Sequence, residues 1–214
     1  MNSEAKNSPM KALIGITIIV VLFASVFLLK APPKKTVPAE LQAVLWPEPR
    51  QLQAFELNEA AGGALNLARF ADKWTLLFFG YTSCPDVCPM TLSVMKAVYD
   101  SLAEYPEIQA KTQVLFVSVD PERDSPEHIA KYVAYFDKSF TGATGSVEAV
   151  DKFAAQLSAG YVKEKPAEDG TYQVSHTGSI YLIGPKQRVH GAFSPPHKPK
   201  DITELYLDVL KLQE

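Results

Sequence analysis

Trp74-Thr75-Leu76-Leu77-Phe78-Phe79-Gly80-Tyr81-Thr82-Ser83-Cys84-Pro85-Asp86-Val87-Cys88-Pro89 contains the only two cysteines of a 214-residue chain. Its first six residues are an apolar run of strand length, and the residues beyond it, Met90 to Leu102, read as a helix. A buried strand therefore turns into a helix with two thiols at the turn. Three residues separate the sulfurs, so on a helix they would be i and i+4 and share one face. A helix N-terminus favours thiolate over thiol, and thiolate is the form that attacks disulfides or binds metal. The competing reading is an inert pair, either small buried hydrophobes or a structural disulfide. A disulfide closing so short a loop restrains little of the unfolded chain, which favours a functional dithiol.

The elements on either side follow from periodicity. Ile129, Tyr132, Val133 and Phe136 recur at helical spacing behind Ser125-Pro126, a cap followed by a first-turn proline. Val147, Val150, Phe153, Ala154 and Leu157 form a second stripe, and Ile202, Leu205, Tyr206, Val209 and Leu210 a third. Strand candidates are 76–79, 114–119, 180–183 and 189–193, the last two flanking the hairpin signal Gly184-Pro185-Lys186-Gln187. The order begins as βαβ and ends as antiparallel ββα, which predicts an α/β fold with a mixed sheet of four or five strands flanked by helices. That is the thioredoxin-like arrangement, and its active thiols occupy the first strand-to-helix turn, where Cys84 and Cys88 fall.

Two thiolates make an incomplete metal site, and four histidines can complete it. His128 lies on the polar side of its helix, His190 is expected to point out of the final hairpin, and His197 sits in a proline-rich loop. His176, in Val174-Ser175-His176-Thr177-Gly178-Ser179-Ile180, immediately precedes the hairpin's first strand. In a thioredoxin-like fold that entry loop lies beside the dithiol. Ordinary thioredoxins place a proline there, and this chain has none between Pro166 and Pro185. Two thiolates and one imidazole form a soft, three-coordinate set that suits Cu(I), or Cu(II) with a further donor. Structural zinc takes four protein ligands, and iron–sulfur clusters need more cysteines than exist here.

Ala12 to Leu29 carries no charge, and Lys11 and Lys30 close it. Eighteen such residues at about 1.5 Å rise just cross a hydrocarbon core. No small-x-small cleavage site follows, so the expectation is a retained transmembrane anchor at 12–29 behind a cytoplasmic stub, 1–11. Lysines flank both ends and the positive-inside count does not set the orientation; a translocated C-terminal domain is the plainer topology. Residues 30–50, with Pro32, Pro33, Pro38, Pro47 and Pro49, read as a semi-extended tether. Residues 51–214 are the right size for one domain. Six of the 21 basic and three of the 24 acidic residues lie in the first fifty, leaving 15 basic and 21 acidic in that domain. No basic patch points to nucleic acid. The absence of an Arg- and Ser-rich transit peptide favours a bacterial inner membrane, with the domain facing the periplasm or cell exterior.

Taken in order, Gly80-Tyr81-Thr82-Ser83-Cys84-Pro85-Asp86-Val87-Cys88-Pro89, then Ser118-Val119-Asp120-Pro121-Glu122-Arg123-Asp124-Ser125-Pro126, then His176 before Ile180-Tyr181-Leu182-Ile183-Gly184-Pro185, resemble the Sco/SenC family from about Leu52 to the C-terminus. The resemblance implies a membrane-tethered, thioredoxin-fold copper protein that helps assemble the dinuclear copper centre of cytochrome c oxidase. It implies copper ligation by Cys84, Cys88 and His176, and a partner in the oxidase's copper-bearing subunit; the copper donor or thiol reductant is left open. It places Asp120 near the site as a tuning group, against which stands a capping or loop carboxylate before the Ser125-Pro126 helix. Asp86, between the thiols, opposes thiolate formation but favours a bound cation. The leading function is a copper metallochaperone. A thiol–disulfide oxidoreductase acting on the target's copper-site cysteines needs Cys84 and Cys88 but not His176, and a copper or redox sensor would use the same three residues. A peroxiredoxin-like peroxidase wants threonine three residues before its cysteine, where this chain has Tyr81 and Pro85.

Overall fold

A computed structural model describes residues 9–29 and 37–213, in two units that divide at Val37/Pro38. In the first unit, helix α1 (Pro9–Leu29) contains the expected anchor segment. Its large apolar side chains from Leu13 to Phe23 are exposed. The hydroxyls of Thr17 and Ser25 donate to the carbonyls of Leu13 and Leu22, so neither polar side chain needs water. Its described side chains run from Leu13 to Ser25, and among the described residues no helix is long and apolar enough to cross a membrane. The spanning role of 12–29 therefore stands on the sequence.

The second unit opens with a short helix, α2 (Ala39–Gln42), and strand β1 (Leu45–Gln51). The small pair β2 (Leu57–Glu59) and β3 (Ala64–Leu65) follows, then a 3-10 turn at Leu67–Phe70. Strand β4 (Trp74–Gly80) leads into α3 (Val87–Ser101), then the short α4 (Pro106–Ala110) and β5 (Thr112–Ser118). Helix α5 (Pro126–Phe136) begins behind Ser125, whose hydroxyl accepts the His128 N–H, and α6 (Val147–Gln156) behind Ser146, which caps Ala149 likewise. These are the side-chain caps such positions select. Strand β6 (Thr141–Thr144) lies between the two helices. A two-stranded hairpin, β7 (Tyr161–Lys163) and β8 (Val174–His176), precedes β9 (Ile180–Gly184), β10 (Arg188–Phe193) and the closing α7 (Pro199–Gln213).

The main sheet has eight strands in the order β1-β10-β9-β4-β5-β6-β2-β3. Strands β4, β5 and β6 are parallel, while β9 and β10 run antiparallel to their neighbours. β4, β5, β9 and β10 carry the four strand candidates and β6 adds a short fifth, and all seven residues of β4 are buried, as a central strand covered on both faces requires. The expected four or five strands are corrected to eight. β1 was hidden by Pro47 and Pro49, which lack ladder donors and are confined to edges; its register against β10 shifts between Leu45 and Arg50. β2 and β3 are too short for a periodic signal.

The tether is corrected with the sheet. Leu41 and Val44 are core residues and Leu45–Gln51 form an edge strand, so the packed unit begins at Pro38, not at 51.

Candidate metal centre

Strand β4 ends at Gly80, six residues make the turn, and α3 starts at Val87. The helix begins three residues earlier than the sequence suggests, which puts Cys88 in its first turn and Cys84 in the loop before it. Asp86 occupies the cap position without a side-chain cap bond. The Cys88 N–H instead donates to Cys84 Sγ at 3.4 Å, so sulfur takes the place of an oxygen cap. No disulfide joins the two cysteines; Cys84 is partly exposed and Cys88 wholly buried. Gly80 makes room for Cys88: a Cβ there would lie 2.8 Å from Cys88 Sγ and 2.8 Å from the Phe116 ring.

The expectation that the helix terminus favours thiolate is reversed at Cys88. Burial pushes its thiol strongly upward, with Cys84 and Asp124 adding to the rise. A helix terminus contributes at most about 2 kcal/mol, whereas full burial raises a thiol by several pK units at about 1.4 kcal/mol each. Desolvation wins, and Cys88 rests as a thiol.

His176 arrives from the other side of the turn. It ends β8 opposite Tyr161 of β7, and the Thr177 N–H closes the hairpin on the Gly160 carbonyl. Its Nδ1 lies 3.3 Å from the Thr177 carbonyl and its Nε2 3.3 Å from Cys88 Sγ. A proton on Nδ1 satisfies that carbonyl and leaves the Nε2 lone pair facing sulfur. The ring meets Phe78 and Tyr81 edge-on at 5.6 and 6.0 Å. Burial holds the imidazole below its usual range, so it is neutral at pH 7. Cys84, Cys88 and His176 offer three donor atoms within 4.8 Å of one another, the one such group of three or more His, Cys, Asp or Glu residues among the described residues.

Asp120 lies outside that group. It is buried and holds two neighbours: its Oδ2 accepts from Arg123 Nε and its Oδ1 from the Tyr172 hydroxyl at 2.8 Å. Arg123 lies over the Tyr172 ring at 3.6 Å and donates to the Tyr172 carbonyl at 2.9 Å. Tyr81 reaches the same segment, donating to Gln173 Oε1 at 2.5 Å. Asp120 thus clamps the hairpin that delivers His176.

The sequence reading missed Asp124, which is 1% exposed and accepts from the Thr82 N–H, the Thr82 hydroxyl and the Ser118 hydroxyl. It ties the end of β5 to the loop that presents Cys84. An acid just before a Ser-Pro helix start reads as a surface residue, so only its place in the Ser118–Pro126 motif could have marked it.

The remaining histidines separate. His128 is exposed as expected, and His197 hydrogen-bonds the Gly178 carbonyl at 2.7 Å. His190 contradicts its outward placement: it is 7% exposed, with its ring 5.0 Å from that of Trp74.

A model of the SCO1/SenC family matches residues 47–211. The human mitochondrial protein SCO1 homolog is 40% identical over 131 residues, 61% of this chain and 43% of that protein, so the match spans less than half its length. The crystal structure of Arabidopsis thaliana ScoI with copper bound matches at TM-score 0.70 and 30% identity, covering 75% of this chain and 98% of that one. The solution structures of apo Sco1 from Thermus thermophilus match at TM-score 0.67 and 37% identity, covering 79% and 95%.

Proposed function

From a chain that belongs to the SCO1/SenC family, we infer a copper-binding protein of cytochrome c oxidase assembly, with copper as its cargo. The observation that carries this reading is the convergence of the Cys84 and Cys88 thiols with a neutral His176 whose Nε2 faces sulfur. Such a soft donor set fits copper, and a relative with copper bound shares the fold. The finer reading is a metallochaperone, anchored in a bacterial inner membrane by residues 12–29 with its domain on the far side. It hands copper to the copper-bearing subunit of the oxidase, whose dinuclear centre it helps to build. Part exposure of Cys84 gives a partner's thiolate a point of entry. Loading releases the Cys88 proton, so affinity falls as pH falls, and oxidation of the pair to a disulfide removes both sulfur donors.

Copper titration of the reduced protein beside its His176→Ala variant tests this. One-to-one binding weakened at least tenfold by the substitution is expected; binding indifferent to His176 would overturn the assignment. One observation favours a second reading, thiol–disulfide exchange: an accessible Cys84 beside a buried Cys88 suits an attacking and a resolving thiol. His176→Ala separates the two, because exchange would survive it.

A further inference from the structure

The chain enters β4 at Trp74 and leaves it at Gly80, so the two ends of this strand are about 20 Å apart. The thiols follow Gly80. At the Trp74 end lies a second concave feature that the metal site does not use, a cleft of about 450 Å³. Its floor is Trp74 and His190, both more than nine-tenths buried and packed ring to ring. Ile108 of α4, Leu210 of α7, Pro49 and Pro185 add apolar wall. Lys111, Lys186 and Arg188 stand exposed on the rim, against one carboxylate among the described residues, Glu107.

Three features distinguish this cleft from an ordinary surface dent. First, His190 lines the cleft with no side-chain hydrogen bond among the described residues, yet its ring nitrogens are not wholly buried, which leaves them open to an outside partner. Second, Gly184 keeps the pair in place: a Cβ there would lie 2.6 Å from His190 Nε2 and 3.2 Å from the Trp74 ring. Third, the rim reverses the sign of the molecule. The protein is net negative, yet three cations gather here, and none of them forms an ion pair among the described residues. Among the described residues the Arg188 side chain is tied to a neutral partner, Gln51 Oε1, at 3.3 Å.

We propose that this cleft binds a small organic anion with a flat apolar body, its carboxylate or sulfonate at the Lys186/Arg188 rim and its body against Trp74, Ile108 and Leu210. The His190 imidazole supplies a hydrogen bond from the floor. Such a lining, mostly apolar with a few convergent polar groups, is what small-molecule sites present, and the volume accommodates a bicyclic ring system. The site is separate from the thiols, so its occupancy and copper binding are distinguishable.

The test uses the full chain in lipid nanodiscs, with 2-naphthoate as probe and the Trp74 indole N–H and His190 ring signals followed by NMR. Saturable one-to-one shifts at both residues are expected. The exposed double variant Lys186→Glu/Arg188→Glu should weaken them at least tenfold while copper titration is unchanged. Uncharged 2-naphthamide and inorganic phosphate should each bind at least tenfold more weakly than 2-naphthoate. Equal binding of 2-naphthamide would show that charge is irrelevant, and equal binding of phosphate that the apolar floor is. Either result, or no shift at Trp74 and His190, overturns the proposal.

Discussion

Cys88 Sγ sits where it does because residue 80 has no side chain. All three neighbours of a Gly80 Cβ, the sulfur and the Phe116 and Phe78 rings, are fully buried and have nowhere to retreat. Gly80→Ala is expected to destabilise the protein by about 1–3 kcal/mol, the usual penalty of overpacking, and to weaken copper binding at least tenfold. Urea unfolding and copper competition read the two effects. Unchanged affinity would show that strand β4 does not set the sulfur's position. His190 yields a pH dependence. Burial, with Arg188 nearby, depresses its pKa from 6.5 in the folded protein, and His176 is depressed by burial too. As pH falls below about 6.5 the unfolded chain takes up protons that the folded one refuses, so stability rises with pH across this window. The metal-free protein should unfold at lower temperature at pH 5.5 than at pH 7.5, and His190→Phe should flatten that difference. Asp137, held low by the hydroxyl and N–H of Ser139 and by Lys96 against its own partial burial, loses its contribution only below about pH 4, in a separate window. At this scale the cysteines and His176 were legible because their chemistry is rare in the chain. Asp124 and His190 were not: an acid and an imidazole have the same letters whether solvated or buried.

The hairpin β7–β8 is the element that decides whether the site has two donors or three. Val174 anchors it in the core, with Tyr161 and Tyr172 packed alongside, while Val162 is 67% exposed. Its other attachments are polar: Arg123 to Asp120 and to Tyr172, Tyr81 to Gln173, and the Lys163–Glu122 ion pair. The last is exposed at both ends and contributes little. Arg123→Ala leaves Asp120 buried without its cation, a change of about 3 kcal/mol or more. It is expected to raise amide exchange across 161–176 and bring copper affinity down towards that of His176→Ala, with thiol reactivity at Cys84 kept. The first edge strand gives another outcome. A chain starting at Pro38 should fold, whereas one starting at Gln51 loses β1, leaves β10 as an uncovered edge paired only with β9 and removes Leu41 and Val44 from the core. Circular dichroism and urea midpoints compare the two. Helices α5, α6 and α7 were readable from their stripes because burial of one face imposes a period. β1 has no such period, and its prolines resemble a tether until the sheet edge that excuses them is known.

For the whole molecule, copper that binds only the folded protein adds stability by mass action, about 4 kcal/mol at a thousandfold excess over its Kd. A domain of this size should then melt roughly 8–16 °C higher. Calorimetry with and without copper checks this, and Cys88→Ser should abolish the shift. The exposed apolar surface of α1 is expected to hold the full chain in membranes through alkaline extraction, and a chain beginning at Pro38 should be released. The sequence by itself determined the order of the central strands and helices, the two thiols at the first strand-to-helix turn and the histidine that joins them. Each of these is written in local pattern, as periodicity, spacing and rare residue types. Only the tertiary structure decided that Cys88 is a buried thiol, that Asp120 and Asp124 brace the two loops of the site, and that Trp74 and His190 floor a second cleft. Those properties depend on desolvation and on contacts between residues 40 to 130 positions apart, and neither is local to any stretch of chain.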